Sequence, residues 1–180
     1  NVDTYKPTGY KSGVIQTSMP ITIQVSGNII NVLYEKRTDL SYTVYYYEAG
    51  TTTSLHTSKP VSGQTYGTTP VETAEVISGY TVDSITKSVT ITEGTNEIIF
   101  YYTKRADLSY TVNYYKDSMT SENLVGTTTV GSQTYLDTVN ASAVNVDTYK
   151  PTGYKSGVIQ TSLPITIQVS GNIINVLYEK

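Results

Sequence analysis

Leu108-Ser109-Tyr110-Thr111-Val112-Asn113-Tyr114-Tyr115 alternates with a period of two residues. In a β-strand successive side chains point to opposite faces, so Leu108, Tyr110, Val112 and Tyr114 fall on one side and Ser109, Thr111, Asn113 and Tyr115 on the other. The first set is the expected core face. Sixty-eight residues earlier stands Leu40-Ser41-Tyr42-Thr43-Val44-Tyr45-Tyr46-Tyr47, which keeps that set and places Tyr45 where the later copy has Asn113. Solvent tolerates a Tyr-to-Asn exchange, whereas a buried amide needs partners, so position 113 belongs outside.

Working outward, the chain is a set of copies. Asn1–Lys36 recurs as Asn145–Lys180 with Met19 against Leu163 as the sole difference. Gly63-Gln64-Thr65-Tyr66 answers Ser132-Gln133-Thr134-Tyr135. Gly9-Tyr10, Gly79-Tyr80 and Gly153-Tyr154 answer one another, as do the stretches 28–34, 96–102 and 172–178. Fixed-offset similarity decides architecture before local propensity does. Three segments follow: 1–36, the C-terminal half of a repeat module; 37–104, a complete module; and 105–180, a second complete module. The joints at Lys36-Arg37 and Lys104-Arg105 have no Gly/Ser-rich tether, which favours a stiff succession of modules.

Within a module the pattern reads strand, strand, crossover, strand, strand. A second strand spans about Leu124 to Val130. Ile174, Val176 and Tyr178, like Ile98, Phe100 and Tyr102, face inward from the last strand. Before that strand, Ser156 to Ser170 reads as one extended stretch turning at Gly171-Asn172 into a hairpin. The crossover, Tyr135 to Tyr149, is a short helix or an irregular connection. Its counterpart Pro70 to Ile77 starts with Pro at a plausible helix N1 position, followed by Glu72 and Glu75. The fold class is predominantly β, α+β at most. Parallel first and last strands at the centre would make the modules β-grasp-like; an extended crossover would make them small sandwiches, and the former is favoured.

Composition agrees and narrows the function. The chain has 18 Tyr, one Phe and no Trp, a vocabulary suited to pleated, half-buried surfaces. A net charge of -3 argues against a cation-driven grip on nucleic acid or anionic membrane. Without Cys and with a single His, disulfides, thiolate nucleophiles and imidazole-rich metal sites have no residues to build on, so neither cofactor nor metal is expected. His56 lies in a polar loop and the second complete module has no His, so no catalytic triad is expected and the chain reads as non-enzymatic. No apolar run is long enough to cross a bilayer, and Asn1 to Gly13 lacks a signal pattern, so the cellular address is expected elsewhere in the protein. A Lys-to-Asn isopeptide crosslink is not expected either, because Lys116 falls on the core face and Asn175 on the other.

The segment 108–115, Val125-Gly126 leading to Gly131-Ser132-Gln133-Thr134-Tyr135, Gly153-Tyr154 and the closing strand 172–178 together resemble the MucBP (mucin-binding protein) repeat of Gram-positive surface adhesins. The resemblance covers both complete modules and the leading half. It implies an extracellular, cell-wall-attached protein, fixed to the bacterial surface through parts outside these residues and implicated in adhesion to mucus or host glycans. It brings no catalytic residues.

Tyrosine is the remaining functional clue. Aromatic rings offer flat apolar faces to sugar C–H surfaces and hydroxyls to sugar hydroxyls. Tyr45, Tyr47, Tyr101 and Tyr115 are the outward candidates, weighed against plain cross-strand packing of the same rings. Tyr10, Tyr80 and Tyr154, each after Gly, look architectural. The expected function is a stalk segment of a cell-surface adhesin whose modules engage mucin-type glycans, with a purely structural spacer as the alternative. The leading half-module, left with an apolar face and open strand edges, is expected to pair with another chain, by self-association, or to cover its neighbour.

Overall fold

A computed structural model describes residues 1–180. The fold is predominantly β, with fourteen short strands, two 3-10 turns and no α-helix. Chain contacts divide it into two units. One comprises Asn1–Glu75 with Val82–Tyr102, and the other Val76–Thr81 with Thr103–Lys180. Residues 1–36 thus group with the central module, and 76–81, central by sequence, group with the C-terminal one.

In the first unit, β1 (Val14–Ile15) and β2 (Val32–Leu33) form an isolated antiparallel pair. The central module follows with β3 (Leu40–Glu48), β4 (Lys59–Gln64), β5 (Val71–Thr73), β6 (Tyr80–Val82), β7 (Thr86–Ser88) and β8 (Glu97–Lys104). β3 lies antiparallel to β4 and parallel to β8, with Val44 opposite Ile98 and Tyr46 opposite Phe100. β5 pairs with β7 in a separate ribbon. Leu40, Tyr42, Val44, Tyr46, Ile91, Ile98, Phe100 and Tyr102 are buried, as alternation places the strand residues among them.

The second unit repeats this arrangement with β9 (Leu108–Lys116), β10 (Leu124–Gln133), β11 (Thr138–Val139), β12 (Val158–Ile159), β13 (Ile165–Thr166) and β14 (Ile173–Tyr178). The sheet order is β10-β9-β14-β12, and β9 and β14 are the parallel central pair. Its core gathers Leu108, Tyr110, Val112, Tyr114, Val139, Val144, Ile167, Ile174, Val176 and Tyr178.

The abundance of tyrosine has a structural reason here. A buried phenol needs a hydrogen-bond partner, and three core rings find theirs on the crossover. Tyr42 donates to Glu72 Oε1 at 2.5 Å, Tyr102 to the Glu75 carbonyl at 2.8 Å and Tyr114 to the Asn145 carbonyl at 2.9 Å. Each ring fills the core while its hydroxyl ties down a segment that has little sheet structure of its own. Burial, and then the bond to Glu72, pushes the pKa of the Tyr42 hydroxyl up to about 12.

Two expectations are corrected. The crossover contains no helix. Pro70 opens the strand β5, and its carbonyl accepts a bond from Val89 N–H. Val71 and Thr73 are β-branched and find an antiparallel partner in Thr86–Ser88, which outweighs the N1 preference of proline. In the C-terminal module the corresponding stretch holds β11 and a 3-10 turn at Ala141–Ala143. The second correction concerns the hairpin across Gly171-Asn172. The strand beside β14 is β12, whereas β13 turns away to pair with β11, Thr138 opposite Thr166. Pro164, with no N–H to give a ladder, stands between them, and the Thr161 hydroxyl takes over the bond from Asn175 N–H at 2.8 Å.

Glu72 is the most enclosed ion-pair member, its side chain 11% exposed against 53% for Lys59 at 2.8 Å. Its bond from Lys59, then that from Tyr42, holds the carboxyl below its ordinary value. A carboxylate depressed by folding contributes stability above its unfolded pKa of about 4.3 and loses it as pH falls through the lower folded value. Urea unfolding between about pH 6 and pH 3 should therefore show an acid-side loss that is shallower in Glu72→Gln. Parallel curves for the two proteins would refute this.

Candidate functional site: an aromatic face on the central module

β3 and β8 lie side by side in parallel register, so their outward residues form two adjacent columns. Tyr45 stands opposite Ile99 and Tyr47 opposite Tyr101. The rings of Tyr45 and Tyr47 stack, with centroids 5.7 Å apart and planes 11° apart. Lys87 reaches this face from β7. Its ammonium lies 5.5 Å from the Tyr101 ring centroid and donates to the Ile99 carbonyl and to Asp83 Oδ2, both at 2.6 Å. Asp83 Oδ1 in turn accepts the Tyr101 N–H at 3.3 Å. That ammonium and backbone bond lower the Asp83 carboxyl against the opposing effect of burial.

The face is a ledge of two half-buried tyrosines and one exposed tyrosine, edged by a cation held in place by a carboxylate. It offers flat apolar area for C–H contacts, three phenolic hydroxyls and one ammonium. Of the four tyrosines singled out by sequence, Tyr45, Tyr47 and Tyr101 come together here. Tyr115 belongs to the C-terminal module, where the equivalent face reads Asn113, Tyr115, Asn175 and Leu177. There the Asn113 amide donates to Asn175 Oδ1 at 3.5 Å, and no aromatic ladder forms. The two complete modules share one core and differ on this surface.

The concave sites lie elsewhere. The larger hollow, about 390 Å³, is lined by Arg105, Asp107, Ser109, Thr111 and Asn172 among others. The Arg105 guanidinium is already engaged there by both oxygens of Asp107, at 2.9 and 2.8 Å. His56, exposed in its loop, sits edge-on to Tyr46 with centroids 5.2 Å apart, and its Nδ1 lies 3.1 Å from the Thr57 carbonyl. This ring covers one end of the core. No three His, Asp or Glu side chains are grouped so as to hold one metal ion.

Two further sets of residues recur that sequence reasoning left as turns. Gly9 and Gly79 adopt φ of +80° and +83°, and a Cβ on either would meet a ring carbon of Tyr66 at 2.1 Å or of Tyr135 at 2.4 Å. The backbone bonds repeat with them. Arg37 N–H donates to the Gly9 carbonyl and Tyr66 N–H to the Arg37 carbonyl; Arg105 N–H donates to Gly79 and Tyr135 N–H to Arg105, all at 2.8–2.9 Å. The other set is Asn96 and Asn172, buried amides that donate to the Ser41 and Ser109 carbonyls at 3.0 Å. The signal for both was present in the copies, as Gly-Tyr, Gln-Thr-Tyr and the leading Asn of each closing strand.

No protein-family model matches this chain, and no curated protein matches it.

Proposed function

We propose that the chain is a non-enzymatic stalk segment of an extracellular bacterial surface protein, attached to the cell wall through other parts of the molecule. In this reading its β-grasp-like modules serve by repetition, and the aromatic face of the central module engages mucin-type glycans. The observation that carries the stalk reading is duplication at two levels. Residues 1–36 and 145–180 differ at one position, and the set of bonds linking Gly9, Arg37 and Tyr66 is repeated by Gly79, Arg105 and Tyr135. Selection that keeps copies and their joint chemistry suits a protein whose use lies in number and surface. The resemblance to MucBP repeats supports the location and the ligand class, and the ring ledge of Tyr45, Tyr47 and Tyr101 supports sugar stacking.

A specific observation favours the spacer as the second reading: the hollows of the surface do not coincide with the tyrosines, and most small-ligand sites are concave. The two readings separate on a glycan array carrying mucin-type O-glycans. The adhesin reading expects binding that Tyr47→Ala reduces at least about tenfold, the loss of one ring contact of about 1.4 kcal/mol, with unchanged circular dichroism. Tyr115→Ala should leave it intact. Absence of binding by the wild-type chain leaves the spacer.

A further inference from the structure

The same 36-residue sequence stands in two environments within this chain, and the difference between them identifies a binding site. Ile173–Tyr178 forms a six-residue strand, whereas the identical residues 29–34 form only the two-residue strand Val32–Leu33. Ile174 is 0% exposed and its twin Ile30 47%; Ile167 is 0% and its twin Ile23 74%. Composition cannot account for this, since each pair is the same residue. In the C-terminal module β9 lies parallel along β14 and the core of 105–144 covers its apolar side; nothing equivalent lies on residues 1–36.

The uncovered copy is nevertheless shaped like the covered one. The pairing Val14 with Leu33 and Ile15 with Val32 reproduces that of Val158 with Leu177 and Ile159 with Val176. Asp3 accepts the Gly13 N–H at 2.9 Å as Asp147 accepts that of Gly157 at 3.1 Å. A Cβ on Gly13 would meet Val32 at 2.5 Å, and one on Gly157 would meet Val176 at 2.5 Å. The Asn28 amide makes the two loop bonds to Gln24 that Asn172 makes to Gln168, without the third that Asn172 gives Ser109. Tyr149 lays its ring over Tyr114, at 5.1 Å, and against Gly126; its twin Tyr5 is 87% exposed.

We propose that residues 1–36 are a preformed strand-acceptor site, whose ligand is a separate polypeptide segment of the kind represented by residues 105–144. The segment inserts its first strand parallel to residues 29–34, in the register β9 holds on β14. Its Leu108, Tyr110, Val112 and Tyr114 equivalents cover Ile23, Ile30, Val32 and Tyr34, and its Gly126 equivalent receives the Tyr5 ring. Main-chain bonds supply affinity and the alternating apolar side chains supply register, as in other strand-addition complexes. A second copy of the whole chain is a poor ligand, because its own 105–144 is already covered by 145–180.

The test adds a synthetic peptide of residues 105–144 to the full chain and follows stoichiometry by sedimentation and tyrosine environment by near-ultraviolet circular dichroism. The expected result is a 1:1 complex that Val32→Asp weakens at least about 100-fold, since it sets a charge in an apolar seam. A peptide carrying Val112→Asp should fail on the wild-type chain, which controls for any loss of folding in the Val32 variant. Three results overturn the proposal. They are no complex at tens of micromolar peptide, a complex indifferent to Val32→Asp, which would mean exchange into the 145–180 site, and a dimer of the chain alone that the peptide does not dissociate.

Discussion

Asn172→Ala is expected to lower the stability of the C-terminal unit by about 2–3 kcal/mol, one of the two largest effects anticipated for a single substitution here. The amide accepts the Gln168 N–H at 2.8 Å and donates to the Gln168 carbonyl at 2.7 Å and the Ser109 carbonyl at 3.0 Å. The first two close a loop; the third ties that loop to the edge of β9. Removing the side chain leaves backbone groups without partners in a part-buried site, and the cost of an unmet group exceeds the net worth of the bond it lost. Asn28→Ala is the internal control, because that residue has the same loop bonds and no bond to β9. It should cost less than about 1 kcal/mol. Asn172→Asp separates the roles further, since it keeps the acceptor for Gln168 N–H and loses both donors, and it should behave like Ala. Hydrogen exchange of the β9 and β14 amides is the suitable readout, as the two units need not unfold in one transition. Equal losses at positions 28 and 172 would contradict the assignment.

What the sequence disclosed, and what it did not, follows from the range of the interactions involved. Alternation in 108–115 and 172–178 identified the buried set residue by residue, because a period of two is a local property and both strands are long enough to show it. The parallel placement of β9 and β14 stood only as a condition, since neither strand records its neighbour. The crossover escaped for the opposite reason. Strands of two or three residues such as Thr138–Val139 and Val71–Thr73 have too little propensity to declare themselves and exist through partners at 165–166 and 86–88. The candidate surface was half legible. Outward parity of Tyr45, Tyr47 and Tyr101 could be read, whereas their convergence needed the register that sets Tyr47 opposite Tyr101. Tyr115, identical in parity, stands on a surface whose other positions are Asn113, Asn175 and Leu177, so parity alone could not separate it from the rest.

Gly79→Ala should be as damaging as the loss of Asn172, at about 3 kcal/mol, while Gly153→Ala should cost about 1 kcal/mol. The comparison is informative because the backbone is the same at both sites, with φ of +83° and +84°. An L-residue in that left-handed conformation is strained by about 1–2 kcal/mol wherever it occurs, and a Cβ on Gly153 would have nothing within 4 Å to add to that strain. At Gly79 the methyl would lie 2.4 to 2.6 Å from three ring carbons of Tyr135. The ring is itself set edge-on against Tyr80, centroids 5.6 Å apart, and its backbone is bonded to Arg105, which is bonded to Gly79. It cannot slide without breaking that chain of bonds, so the overlap is relieved by parting residues 76–81 from 103–180. Loss of exchange protection at the Arg105 N–H, donor to the Gly79 carbonyl at 2.9 Å, would report the parting directly. Tyr135→Ala in the Gly79→Ala background should recover most of the excess, leaving the cost near that of Gly153→Ala; contacting residues are where such non-additivity is expected. Equal costs for the two glycines would mean that backbone conformation alone demands glycine here, and the Gly-Tyr contact would lose its place as the repeated joint of the molecule.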